Sequence, residues 1–194
     1  MVTQKTWFLI ILFVTLVAAA GFVLDRGLAV PFAGLALIVA VCSYFLVGPV
    51  ALFYYAAKQT TDLRLVEVIT NLAMKANIKC PQIYEFKSET PIIFTTGTAK
   101  NHASLCLSAG LREKLTRAEL EALVARELYH ISQNDLGLAI IHTMTSWKRE
   151  FEADAFAARL TQDPEALISS LEKIGRLNPF HPPINQRVNL LKEM

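Results

Sequence analysis

Two long uncharged runs open the chain. Trp7 to Leu24 is 18 residues without a charge, and Gly27 to Ala57 is 31. A helix needs roughly 20 apolar residues to cross a hydrocarbon core. Only Asp25 and Arg26 interrupt the two runs, so the pattern predicts a two-helix transmembrane hairpin with spans at about 7–24 and 31–56. Pro31 suits a helix start, and "GPV" at Gly48 to Val50 predicts a kink in the second span. The competing reading, a signal peptide followed by a buried helix, lacks a small-residue cleavage site leading into polar sequence.

After residue 58 the pattern changes, and residues 59–194 read as one α+β domain long enough to bury a core of its own. Leu65, Val66, Ile69, Leu72 and Ala73 recur at helical spacing behind capping threonines and Asp62. Three β-type runs follow, Gln82 to Phe86, Pro91 to Gly97 and Ser104 to Ser108, with "GTAKN" as a turn between the last two. "TRAE" at Thr116 to Glu119 is a capping box that starts a helix. Further helices are expected over about Thr145 to Leu160, from Asp163 with Pro164 in its first turn, and in the final "INQRVNLLKEM".

The 53% apolar content is high for a soluble domain and its excess is concentrated at the start, which strengthens the membrane reading. Lys5 precedes the first span, Lys58 and Arg64 follow the second, and the loop between them is neutral. The positive-inside rule then places both ends, and so the larger domain, in the cytoplasm, beneath a cell inner membrane or its equivalent. A net charge of +2 is too small to indicate a nucleic-acid partner. Cys42, Cys80 and Cys106 show no metal or redox spacing, in keeping with a reduced compartment.

The chemistry concentrates in "VARELYHISQND", Val124 to Asp135. On a helix, Leu120, Leu123, Val124 and Ile131 form one apolar face, with Glu127 in its middle and His130 at its edge. A carboxylate there needs a cation, a metal-bound water or a hydrogen-bond network. Alone, Glu-x-x-His also fits a stray glutamate beside a packed histidine. The later "WKREFEADAFAARL" adds Glu150 and Asp154 on one helical face. A third ligand from a separate helix, backed by a carboxylate that orients a ligand histidine, is how single-zinc proteases complete their site.

With these motifs the chain resembles the HtpX-like membrane metallopeptidases, relatives of the CAAX prenyl proteases. "FTTG", "SLCLSAGL", "LTRAELEALVARELYHISQND", "REFEADAFAARL" and "HPPINQR" stand in family order after the amino-terminal hairpin. The resemblance implies a zincin-like metalloprotease fold, a small antiparallel sheet packed with helices. It implies that Glu127 is the general base, His130 and Glu150 are zinc ligands, and Asp154 holds the first ligand histidine. His181 and Arg187 match a trailing element that steadies the substrate's developing oxyanion. Ser104, Leu105, Cys106, Leu107 and Ser108 would be the edge strand that pairs with substrate backbone.

Three departures qualify this. Arg126 stands where the first zinc histidine belongs, Ile92 and Ile93 replace the usual Asn-Ala, and "LGLAIIHTMTSW" is too short for a second hydrophobic hairpin. Arginine stays protonated and offers a metal no lone pair. His102 and His142 lack the i, i+4 relation to His130. Arg126 is expected instead to pair bidentately with Asp154 and join the two helices in place of zinc. The expected function is that of a membrane-anchored homologue impaired as a zinc metalloendopeptidase. It would retain a role in binding unfolded or membrane-protein segments, or in regulating an active relative, in membrane protein quality control. The alternatives are an active zinc peptidase cleaving membrane or misfolded proteins, and a structural membrane module whose groove binds nothing.

Overall fold

The computed structural model describes residues 4–136, 147–175 and 181–194, with side chains throughout except at 4–10, 26, 43, 44 and 47. Two antiparallel helices come first, α1 (Gln4–Leu24) and α2 (Ala29–Tyr54). Asp25 joins them by accepting the Gly27 N–H at 2.7 Å, which starts a single 3-10 turn. Gly21 lets the helices close on each other: a Cβ there would stand 2.9 Å from the Leu28 carbonyl oxygen and 3.0 Å from Phe32. Pro49 lies inside α2, which is continuous. Counting only described residues, no helix is long and apolar enough to cross a membrane.

The larger domain is a mixed α+β unit. After β1 (Lys58–Gln59) comes α3 (Leu63–Lys75), whose Asp62 cap accepts the N–H groups of Arg64 and Leu65. Strands β2 (Gln82–Phe86), β3 (Ile93–Gly97) and β4 (Ala103–Ser108) follow, then α4 (Ala109–Lys114) and α5 (Arg117–Ser132). Beyond the undescribed residues 137–146 lie α6 (Trp147–Thr161) and α7 (Pro164–Ile174), and beyond 176–180 lies α8 (Ile184–Lys192). His142, most of the short spacer, the expected helix start at Thr145 and the first part of "NPFHPP" fall outside the described residues.

The sheet corrects two expectations. Its order is β1-β2-β4-β3, and although β1–β2 and β3–β4 pair antiparallel, β2 and β4 run parallel. The sheet is therefore mixed. Strand β4, expected at the edge, lies in the interior with partners on both sides, so Ser104 to Ser108 cannot present their backbone to a substrate. The cause is compositional: "SLCLS" has no charged or large polar residue on either face, and Leu105, Cys106 and Leu107 are fully buried. The open edge of the sheet beyond β4 is β3.

Two apolar clusters hold the domain together. One packs Leu65, Ile69 and Leu72 of α3 and Leu105 and Leu107 of β4 against Leu123, Val124, Leu128 and Ile131 of α5. The other packs α5 through Ala122 and Ala125 onto Ala157, Leu167, Leu171 and Val188 of the last three helices. Alanines at these crossings let the helix axes approach closely, so α5 is enclosed on nearly every side. The capping box forms as expected. Glu119 accepts the Thr116 N–H at 2.8 Å, and it also receives Ser169 and Lys173 from α7.

Candidate active site: a buried arginine among three carboxylates

Enclosure of α5 buries its charged residues along with its apolar ones. Arg126 is 2% exposed, and Glu127, Asp154 and Arg187 are likewise buried. Such charges persist inside a protein only when paired and hydrogen-bonded. Arg126 Nη1 donates to Glu127 Oε1 at 3.0 Å, and Nη2 donates to Glu150 Oε2. One guanidinium therefore bridges its own helix neighbour to α6.

Asp154 is held differently from the expected bidentate pairing with Arg126. Arg187, from α8, donates Nε to Asp154 Oδ2 at 2.7 Å and Nη2 to Oδ1 at 2.6 Å. Both oxygens of Asp154 thus accept from Arg187. The Arg126 Nε lies 3.3 Å from Asp154 Oδ1 but makes no hydrogen bond. The clasp between α5 and α6 runs through Glu150 as well as the expected Arg126–Asp154 ion pair, which forms at one atom and not bidentately. Arg187, expected near the substrate, has its planar fork committed to a buried carboxylate.

The remaining groups surround Glu150. His130 Nε2 lies 3.9 Å from Glu150 Oε1, and His181 Nε2 lies 3.9 Å from Oε2. Burial works to raise the Glu150 pKa, but the charge of Arg126, with smaller help from His181 and His130, outweighs it and holds the group at about 2. Burial, then Arg126, pushes His181 down to about 4. For Arg126 itself, burial opposes the charge and the carboxylates of Glu150, Glu127 and Asp154 restore it, so its pKa is raised. At neutral pH an ionised Glu150 therefore lies between the charged Arg126 and a neutral His181.

The structure thus gathers Arg126, Glu127, His130, Glu150, Asp154, His181 and Arg187 at one place, and it puts Ser104 to Ser108 elsewhere. It adds contacts that the sequence pattern did not reveal. The Thr95 hydroxyl on β3 lies 3.4 Å from Glu127 Oε2. Asp135, near His130 Nδ1 at 3.9 Å, pairs with Arg149 of α6. Tyr129 donates to Glu152 at 2.7 Å. The last two join residues on adjoining helical elements, which sequence spacing does not reveal.

Comparison with known proteins bears on this arrangement. The model of peptidase family M48 matches residues 59–146. A protease HtpX homolog of Caldanaerobacter subterraneus subsp. tengcongensis is 24% identical over 213 positions, covering 67% of this chain and 71% of the relative. One from Streptococcus gordonii is 23% identical over 288 positions, covering 98% and 97%. This chain is similar to the HtpX proteases, and residues 59–146 match peptidase family M48. Because 288 aligned positions face a chain of 194 residues, the Streptococcus relative carries internal segments that this HtpX-like chain lacks. The crystal structure of S. mikatae Ste24p superposes with a TM-score of 0.65 at 13% identity, covering 97% of this chain and 66% of Ste24p. That likeness is one of fold.

Family M48 enzymes are zinc metallopeptidases, and the residues of this chain do not fit the ion. Among the described residues no three His, Cys, Asp or Glu side chains are grouped so as to hold a metal. The guanidinium lies against Glu127 and Glu150, so an incoming dication would meet a fixed positive charge. Glu127 and Glu150, which the sequence resemblance would make base and ligand, are both hydrogen-bonded to Arg126.

Proposed function

We propose that this chain is a membrane-anchored HtpX-like homologue whose zinc site has become a fixed ion-pair clasp, and that it binds extended polypeptide without cleaving it. One observation carries the reading. Arg126 is buried and hydrogen-bonded to both Glu127 and Glu150, so the residue that replaces the first ligand also occupies the base and another ligand. An arginine that had merely removed a ligand could have turned to solvent.

Strand β3 supports the binding half of the proposal. Ser108 N–H donates to the Ile92 carbonyl at 3.0 Å, which fixes the ladder so that residues 92, 94 and 96 face β4. The backbone groups of Ile93, Thr95 and Gly97 then point to the open edge, where an added strand would find donors and acceptors. Thr95 also touches Glu127, so a peptide laid on this edge passes the ion cluster. The anchoring half rests on α1 and α2, 21 and 26 residues long, whose described side chains leave Leu16, Val30, Leu35 and Ile38 exposed. A lipid bilayer is the partner that accommodates such a surface, and the flanking Lys5 and Lys58 favour a cytoplasmic domain in membrane protein quality control.

The test is zinc content and casein cleavage by the purified full chain. The expected result is neither. About one zinc per chain, with cleavage lost on Glu127→Gln, would falsify the proposal. Photo-crosslinking of an unfolded peptide to a benzophenone residue at the exposed position 100, just past β3, checks the binding role. No capture above that of a folded control protein leaves only a structural module.

A further inference from the structure

On the membrane reading, helix α2 is longer than a bilayer core requires. Its 26 residues extend about 39 Å at 1.5 Å per residue, against a hydrocarbon core of about 30 Å. Counted from Ala29, just past the polar Asp25–Arg26 turn, 20 residues bring the helix to Gly48, and a tilt of about 20° adds only one or two more. The last turns of α2, from Pro49 to Tyr54, therefore project beyond the hydrocarbon.

Those turns do not stand free. A Cβ on Gly48 would lie 3.5 Å from Thr96 Oγ1 and 3.8 Å from the Gly97 backbone, so α2 meets β3 at the place where the hydrocarbon ends. Thr96 Oγ1 is buried without a hydrogen-bond partner among the described residues, as expected where a helix backbone closes over it. Two turns on, Tyr55 packs its ring on Phe86 and Phe94, with centroids 4.7 and 5.2 Å away. Thr95 points to α5, so the alternating Phe94 and Thr96 lie on the opposite face of the sheet, and α2 covers that face. Phe53 and Tyr54, on the side away from this contact, are 88% and 79% exposed. Aromatic side chains in such a position are those that settle among lipid headgroups.

We propose that the end of α2 seats the sheet on the bilayer surface, with Phe53 and Tyr54 in the headgroup layer and the Thr96–Gly97 end of β3 at the hydrocarbon boundary. The open edge of β3 then lies at headgroup level, and the polypeptide it takes up is a segment emerging from the membrane. This inference rests on the membrane reading above.

Depth-resolved tryptophan quenching tests it in the full chain. The background replaces Trp7 and Trp147 by phenylalanine, and Leu37→Trp, Phe53→Trp and Lys100→Trp each supply a single reporter. Each protein is reconstituted in phosphatidylcholine vesicles with the nitroxide on the headgroup or at acyl carbon 12. The expected result is stronger quenching of Leu37→Trp by the acyl probe, and of Phe53→Trp and Lys100→Trp by the headgroup probe. Adding Gly48→Leu, too large for the gap, should abolish quenching at Lys100→Trp and leave Leu37→Trp unchanged. Gly48→Ala, whose Cβ makes an ordinary contact, should keep both. Deep quenching of Leu37→Trp with no headgroup quenching of Lys100→Trp overturns the seating and leaves the membrane anchor standing. Quenching at Lys100→Trp that survives Gly48→Leu also overturns it. Absence of acyl-probe quenching at Leu37→Trp removes the membrane reading itself.

Discussion

Arg126→Met keeps most of the side chain's length and removes its charge. It leaves Glu127 and Glu150 facing each other in a buried site, while Arg187 continues to hold Asp154. Removing one partner of a buried ion pair costs about 3–5 kcal/mol, because the remaining charge is stranded. The carboxylate gives a second measure. Glu150 falls from an ordinary 4.5 to about 2, chiefly through Arg126, and at about 1.4 kcal/mol per unit this is a contribution of about 3 kcal/mol. The two figures agree in scale. A group whose pKa is depressed on folding stabilises fully above its unfolded value, and the contribution is lost as pH falls through the folded value. The wild type therefore keeps this term above about pH 4.5 and loses it toward pH 2. In the variant the stranded carboxylates protonate more readily, so its deficit is largest at neutral pH and shrinks in acid. In a chain of this size the loss corresponds to a drop of about 6–20 °C in Tm. Thermal unfolding of detergent-solubilised protein, followed by circular dichroism at pH 7 and pH 4, measures it. A variant as stable as the wild type at pH 7, or a deficit unchanged at pH 4, refutes the reasoning.

Three further outcomes are expected. Arg126→His restores an i, i+4 histidine pair with His130 and should raise zinc from near none to about one per chain, with proteolysis that requires Glu127; metal analysis showing no gain means the conversion extends beyond one residue. His181 has a folded pKa of about 4 against 6.5, so the unfolded chain takes up a proton there that the folded chain refuses. Stability from the neutral imidazole is complete above about pH 6.5 and is lost as pH falls toward 4, and His181→Gln should flatten that limb of the pH–stability curve. A Cβ at Gly110 would fall on the Glu89 carbonyl oxygen, so Gly110→Ala should cost about 1–3 kcal/mol by denaturant titration with little effect on the ion cluster.

What the sequence revealed was mostly local. The Thr116–Glu119 capping box, the Asp163–Pro164 helix start and the amphipathic α3 each depend on residues within a turn or two, and each has the expected form. Glu127, His130, Glu150 and Asp154 were legible as a group because each pair shares a helix face. The errors were non-local. Nothing in "SLCLS" states that β4 inserts between β2 and β3; its Ser and Cys are small enough to be buried on the second face. Arg126 pairs with Asp154 as expected but not bidentately, because two guanidinium groups compete for that carboxylate. Arg187, 33 residues away in sequence, takes it with the better fork geometry. The six-residue α4 was missed because so short a helix shows no full apolar period.

The clasp between α5 and α6 has a thermodynamic character that a metal-bound relative does not share. A bound ion stabilises a fold by an amount that rises with its free concentration, and the benefit disappears when a chelator or a starved cell lowers that concentration. The Arg126 guanidinium is attached to the backbone, so its occupancy is complete at every concentration and no mass-action term enters. Chelators should leave the melting curve of this chain where it is. The connection between the two helices is set when the polypeptide is made and does not depend on how much metal the surroundings supply.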